Sequence, residues 1–361
     1  MKKPIKILLI SIFSGGLIMF GLAKSALAAE GTSKKMAMAF YYTWYGTPEV
    51  CGHWHHWPEG GHNPEKIDQN GYRDIGATNH PAPDVYDSND PSVIRRHLAL
   101  CEETGIDALI ATWWGVGDYH DKALKVVLQE AKNVVALVLS NATTNRSIDD
   151  HKGNEAATKV TIYYETIRSP HSVESAVKDF LYILDSYGDE PAWLKVNGKP
   201  VIFVYGRAMG QLGADDWKKV LTKVKAKHDA LFIADTGKKE LIEIFDGGHS
   251  YNPVGAIVRG VNMGENYAQL VKTCREAGKI ACATVIPGYD DSNIGRTRAI
   301  VAERRNGQLY RELWDLAMKA RPDWILITSF NEWHEGSEIE PSKEHGRFYV
   351  ELTREYGGKF K

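Results

Sequence analysis

The sequence predicts a (β/α)8 barrel in a single domain, and three observations predict it. Short apolar runs alternate with amphipathic stretches along the chain, as expected where helices cover a parallel sheet. Eight such runs can be named. From Ala29 onward roughly 330 residues remain without a second long apolar run, which suits one large α/β barrel. A doubly wound open sheet would give a similar alternation.

In chain order, Lys2, Lys3 and Lys6 precede an apolar stretch from Ile7 to Leu22 and the small-x-small sequence Ala26-Leu27-Ala28. This reads as an export signal over residues 1–28, with the barrel domain over 29–361 and a secreted, periplasmic or cell-surface location. The apolar stretch approaches the length of a membrane anchor, but Ser11, Ser14, Gly15 and Gly16 weaken that alternative. The expected strands are Ala37 to Trp44, Ala108 to Trp114, Val160 to Glu165, Pro200 to Tyr205, Leu231 to Asp235, Ile244 to Tyr251, Ile280 to Ile286 and Trp324 to Phe330. The sixth is the weakest in pattern. Between them, Pro91 to Glu103, Ser172 to Ser186, Asp215 to Lys227, Asn266 to Glu276 and Arg304 to Ala320 carry apolar residues at helical spacing. Two stretches exceed a minimal barrel and read as long loops. Thr47 to Asp90 is rich in Gly, His, Pro and Trp and should wall a cleft, and Asn141 to Thr158 is polar.

The 44 Lys and Arg against 46 Asp and Glu give a formal net charge of -2, and no basic run marks a nucleic-acid surface. No stable protein partner is expected either. Cys51, Cys101, Cys274 and Cys282 are spaced for neither a zinc ribbon nor a dense disulfide scaffold. Cys101 and Cys274 fit the role of small buried thiols, with a disulfide as the alternative.

The most informative segment is the exit of the last strand, Ser329-Phe-Asn-Glu-Trp-His-Glu-Gly336. Strand C-termini line the active face of a barrel, which puts Asn331, Glu332, Trp333, His334 and Glu335 where catalysis occurs. Glu-x-x-Glu alone is a common solvated helix face, so its place after the last strand is what makes Glu332 and Glu335 a candidate pair. Cleaving a glycosidic bond needs one carboxyl to protonate the leaving oxygen and another to support the anomeric centre. Other strand ends carry rings and acids: Tyr42 and Trp44, Trp113 and Trp114, Glu165, Tyr205 with Arg207, and Tyr289 with Asp290. Trp113, Trp114 and the loop Gly115 to Asp121 are expected to shape a subsite, with Tyr119 as its ring contact and Arg296 as a further substrate contact. His53, His55 and His56 with Trp54 and Trp57 resemble a metal cluster but lack a companion ligand set, so no metal or organic cofactor is expected. His56 then belongs to a roof over the cleft. His334 orients a glutamate or faces the wall.

These residues also resemble a known family. Phe40-Tyr-Tyr-Thr-Trp-Tyr-Gly-Thr-Pro48, Asp74-Ile-Gly76, Asp90-Pro-Ser-Val-Ile94, Gly198-Lys-Pro200, Pro287-Gly-Tyr-Asp-Asp291 and Ser329 to Gly336 are similar to glycoside hydrolase family 99, the endo-α-mannosidases and endo-α-1,2-mannanases. The resemblance implies an endo-acting, retaining hydrolase of α-mannosidic linkages in a polysaccharide or glycan. It implies that Glu332 deprotonates the sugar 2-hydroxyl, which attacks the anomeric carbon to give a 1,2-anhydro sugar, and that Glu335 is general acid and then base. It also implies that Tyr251 stands near them and that Glu165 is the acid of the third-strand motif. Two departures stand out: the family's His-x-Glu-Pro-Tyr is here Tyr163-Tyr-Glu-Thr-Ile167, and Glu190 replaces a histidine before Pro-Ala. Both suggest altered subsites. The rival readings are the same mechanism on a different α-linked sugar, and a non-catalytic carbohydrate-binding or surface-assembly protein.

Overall fold

The computed structural model describes residues 34–144 and 157–361. The export-signal segment and most of the polar stretch 141–158 lie outside them. Among the described residues, eight parallel strands and eight principal helices alternate. They are β1 (Met36–Tyr41), α1 (Pro91–Thr104), β2 (Ala108–Trp113), α2 (Tyr119–Thr144), β3 (Lys159–Tyr164), α3 (Val173–Tyr187), β4 (Lys199–Val204), α4 (Ala214–Lys225), β5 (Leu231–Asp235), α5 (Lys239–Ile244), β6 (Gly247–His249), α6 (Met263–Glu276), β7 (Ile280–Val285), α7 (Gln308–Ala320), β8 (Trp324–Ile327) and α8 (Phe348–Phe360). Each strand pairs with the next in parallel, β8 pairs with β1, and Tyr163↔Phe203 and Tyr164↔Val204 join β3 to β4. The sheet is therefore closed, which rules out the open doubly wound alternative.

Alternation along each strand builds two cores. Met38, Phe40, Ile110, Tyr163, Phe203, Ile233, Trp324 and Leu326 fill the barrel interior. Their neighbours Ala39, Tyr41, Ala111, Trp113, Ile162, Tyr164, Val204 and Ile327 pack outward under the helices. Helix ends follow local chemistry. Asp90 caps α1 by accepting from Ser92 N–H, Pro91 occupies the first turn, and Gly105 closes it at φ 71°. Asn262 caps α6 on Glu265 N–H, so that helix starts three residues before the expected Asn266. The helix expected from Arg304 starts only at Gln308, because Arg305, Asn306 and Gly307 all have positive φ. α2 runs through Asn141 to Thr144, residues expected in a loop.

The sixth strand shrinks to three residues for a visible reason. A Cβ at Gly247 would come within 2.7 Å of the Ile280 carbonyl and 2.8 Å of Ile233 Cδ1, so the strand is squeezed between β5 and β7. Glycines that satisfy this packing erase the apolar signal. All four cysteines are free, with Cys101, Cys274 and Cys282 buried. No described helix is long and apolar enough to cross a membrane.

Candidate active site

The chain leaving β8 turns sharply and folds back on itself. Ser329 N–H donates to the Ser337 carbonyl at 2.8 Å, Glu340 N–H to the Phe330 carbonyl at 2.9 Å, and Glu332 N–H to Ser329 Oγ at 2.7 Å. A single 3-10 turn, Trp333–Glu335, ends at Gly336 with φ 54°. Both glutamates are thereby held at the strand-end mouth of the barrel. Glu332 is 1% exposed, and neither of its carboxylate oxygens has a hydrogen-bond partner. Glu335 Oε2 is likewise buried and unpartnered, while its Oε1 lies 3.6 Å from Arg296 Nη2. Burial, and then the neighbouring Glu335, push Glu332 well above the usual carboxylate range. Burial also raises Glu335, against the Arg296 guanidinium and the Tyr289 hydroxyl, which favour its ionised form. Two like charges this desolvated resist simultaneous ionisation, so the pair tends to hold one proton.

Tyr42 and Tyr251 share a short hydroxyl–hydroxyl hydrogen bond beside the glutamates, and burial raises both phenols. Glu165 lies 3% exposed at the end of β3, pushed up to about 8 by burial against the opposing pull of Arg207. On the other flank Arg296 bridges Asp291 Oδ2 at 2.6 Å and the Tyr289 hydroxyl at 3.0 Å. The rim is aromatic. Trp44 stacks on His56 at 4.5 Å and faces His334 at 6.1 Å, and Arg207 lies 4.6 Å over Trp114. The ring N–H groups of Trp44 and Trp114, both ring nitrogens of His120 and Nδ1 of His56 are buried without hydrogen-bond partners. Unmet donors and acceptors beside rings suit a polyhydroxylated ligand, since each costs on the order of 1–3 kcal/mol until something satisfies it.

The expected residues divide by place. Tyr42, Tyr251, Tyr289, Arg296 and Glu165 gather around the two glutamates, and Trp44, His56 and His334 form the rim. Asn331 and Trp333 are fully buried framework. The Asn331 amide grips the Tyr42 backbone, and the Trp333 backbone N–H donates to the Tyr45 hydroxyl. Asp290 shapes its own turn by accepting from Ser292 N–H. Tyr119 stacks on His55 at 4.6 Å, and its hydroxyl is committed to the Tyr45 carbonyl and Asp87, so it braces the first loop. Trp113 is corrected outright: strand alternation turns it under the helices, fully buried, with Nε1 on Asp121. Trp114 is the mouth residue. Glu190 is corrected too, since it follows α3 at the strand-start end of the barrel and pairs with Lys132 at 3.2 Å, away from any subsite.

Asp235 joins the site without having been singled out, although it ends an expected strand, which was a usable signal. Arg207 and Asp291 come from strand ends already named, and His120 from the loop after β2 expected to shape a subsite. His56, Glu59 and His334 bring potential ligand atoms within 4.8 Å of one another. His56 Nδ1 and Glu59 stand 3.8 Å apart, and Glu59 is half exposed, so a tetrahedral metal would require them to draw together.

The sequence model described as glycosyl hydrolase family 99 matches residues 32–350. The mouse glycoprotein endo-alpha-1,2-mannosidase is 28% identical, over 89% of this chain and 74% of that protein. A zebrafish glycoprotein endo-alpha-1,2-mannosidase-like protein is 29% identical, over 86% and 73%. Among solved structures, the GH99 endo-alpha-mannosidase from Bacteroides thetaiotaomicron superposes with a TM-score of 0.71 at 26% identity, covering 90% of this chain and 97% of that one.

Proposed function

The chain belongs to glycosyl hydrolase family 99, and from that premise we propose that it is a retaining, endo-acting hydrolase of α-mannosidic linkages in a polysaccharide or glycan. The observation that carries this reading is the buried pair Glu332 and Glu335, with three carboxylate oxygens free of protein partners. In the first step Glu332 takes the proton of the sugar 2-hydroxyl as that oxygen attacks the anomeric carbon. The glycosidic bond breaks while Glu335 gives its proton to the leaving oxygen, leaving a 1,2-anhydro sugar. In the second step Glu335 takes a proton from water, whose oxygen opens the three-membered ring at the anomeric carbon, and Glu332 returns its proton to O2. Two displacements give net retention.

The electrostatics fit one proton on the pair at neutral pH. Burial raises both glutamates, each disfavours charge on the other, and Arg296 opposes the rise at Glu335, so before substrate binds the proton belongs to the pair. A 2-hydroxyl donating to Glu332 supplies the hydrogen bond that its carboxylate lacks and moves the proton to Glu335. A binding protein without turnover would have no use for two desolvated carboxylates. The test is reducing-end release from α-1,2-linked mannan by wild type and Glu335→Gln. The variant should lose mannan hydrolysis yet keep the first step on an activated aryl glycoside, which needs no proton. Near-normal mannan hydrolysis by the variant, or none by wild type, would overturn the reading.

A different α-linked sugar stays as a second reading because Tyr163 replaces the family's usual histidine beside Glu165. Its hydroxyl donates to Asp235 Oδ2 at 3.3 Å, so this position carries a buried phenol committed to Asp235 in place of an imidazole. A screen of polysaccharides with product sizing separates the two. Export rests on residues 1–28 alone, and N-terminal sequencing of secreted protein should begin at Ala29.

A further inference from the structure

Glu332 is fixed by its neighbours in sequence, and both neighbours lead to one phenol. Asn331 Nδ2 and Trp333 Nε1 each donate to the Tyr86 hydroxyl at 3.1 Å, and that hydroxyl donates to Glu340 Oε2 at 2.8 Å. A phenol has one hydrogen and two acceptor positions, so Tyr86 is fully used. The directions follow by elimination. Tyr42 N–H donates to Asn331 Oδ1 at 2.7 Å, which fixes the amide orientation and makes Nδ2 the donor. An indole N–H can only donate, so Tyr86 must give its own hydrogen to Glu340. Glu340 Oε1 in turn meets His97 Nε2 at 2.8 Å, and His97 Nδ1 meets the Tyr41 hydroxyl at 2.9 Å.

We propose that Tyr86, oriented by Glu340 and His97, is a positioning residue that sets the catalytic glutamates through the two residues flanking Glu332. Tyr86 belongs to the long loop after β1, whereas the glutamates belong to the loop after β8, so its hydroxyl adds a tie between the two active-face loops beside those from Trp333 N–H to the Tyr45 hydroxyl and from Asn79 to Glu338. The Asn331 amide extends the tie to Tyr42, whose N–H and carbonyl it holds at 2.7 and 2.9 Å. The Tyr86 ring is kept in place separately by edge contacts to Trp57 and Tyr45 at 5.5 and 5.8 Å and by Trp57 Nε1 on the Tyr86 carbonyl. Replacement by phenylalanine therefore removes the tie and keeps the packing.

The test uses the full-length protein on the glycan that wild type cleaves, so a wrong substrate in the proposed function shows in wild type and leaves this comparison intact. Tyr86→Phe should lower kcat about 10- to 100-fold with KM changed less than about threefold, the pattern of catalytic groups set out of line rather than of lost sugar contacts. Glu340→Gln, which still offers the phenol an acceptor, should retain kcat within about threefold of wild type. Glu340→Leu removes that acceptor with Tyr86 in place and should lower kcat in the same direction. The control is Tyr310→Phe, which loses a buried hydroxyl contact to Thr353 Oγ1 between α7 and α8 and should lower Tm without touching kcat. The proposal fails if Tyr86→Phe keeps kcat, or if its loss lies in KM. Should Tyr86→Phe not fold, wild-type kcat in Glu340→Leu refutes it.

Discussion

Arg296 and burial act on Glu335 in opposite senses, and that opposition makes a prediction about pH. The proposed mechanism needs one proton on the pair, so activity should fall at low pH when both glutamates are protonated and at high pH when both are ionised. Arg296 favours the ionised form of Glu335. Without its charge Glu335 holds its proton to higher pH, so Arg296→Gln should move the alkaline limb of kcat/KM upward; a downward move would contradict the assignment. Glu165 supplies a second prediction, on stability. Its folded pKa of about 8 lies above the ordinary 4.5, so it favours folding below about pH 4.5 and that contribution is lost as pH rises toward 8. Glu165→Gln removes the cost of ionisation, so its Tm relative to wild type should climb between pH 5 and 8. A Tm difference independent of pH would mean that Glu165 titrates normally.

At the scale of elements, legibility followed the apolar pattern and failed where packing used glycine or where direction mattered. β1 to β5, β7 and β8 stand where their apolar runs place them, because buried parallel strands need such runs. β6 is only Gly247–His249, since the space between β5 and β7 admits no side chain at Gly247. Gly247→Ala should cost about 1–3 kcal/mol in urea unfolding, and a cost below about 0.5 would show that its neighbours yield freely. Trp113 and Trp114 were equivalent in sequence, and only strand phase separates them. Trp113→Phe should lower Tm, as it orphans Asp121 of one donor and leaves a cavity, with kinetics unchanged. Trp114→Ala should raise KM with little change in Tm. The reverse outcome would mean that the strand phase is wrong. Glu332 and Glu335 were legible because an acidic motif follows an unmistakable last strand. Tyr86 was not, because its partners lie more than 240 residues away along the chain.

For the molecule as a whole, the closed sheet packs apolar and aromatic side chains such as Met38, Phe203 and Leu326 inside the barrel and sets the two glutamates at its mouth. Among the described residues, buried polar atoms without hydrogen-bond partners include both Glu332 oxygens, Glu335 Oε2 and the rim rings, and also Trp324 Nε1 inside the barrel. Long loops after β1, β7 and β8 meet there: His62 Nε2 reaches the Asn293 carbonyl at 2.7 Å, and Asn293 Nδ2 spans the carbonyls of Ile75 and Ala77. Loops that brace one another fix the shape of the barrel mouth, as an enzyme that holds a chain on both sides of the cleaved bond requires. The substrate class, the outcome at the anomeric carbon and the role of Glu332 then meet in one measurement. That measurement is time-resolved proton NMR of the enzyme acting on an α-1,2-linked mannan oligosaccharide, run beside Glu332→Gln. Wild type should release the α-anomer first, from an internal linkage, before mutarotation, and Glu332→Gln should release none. Initial release of the β-anomer, or wild-type release by Glu332→Gln, would contradict it.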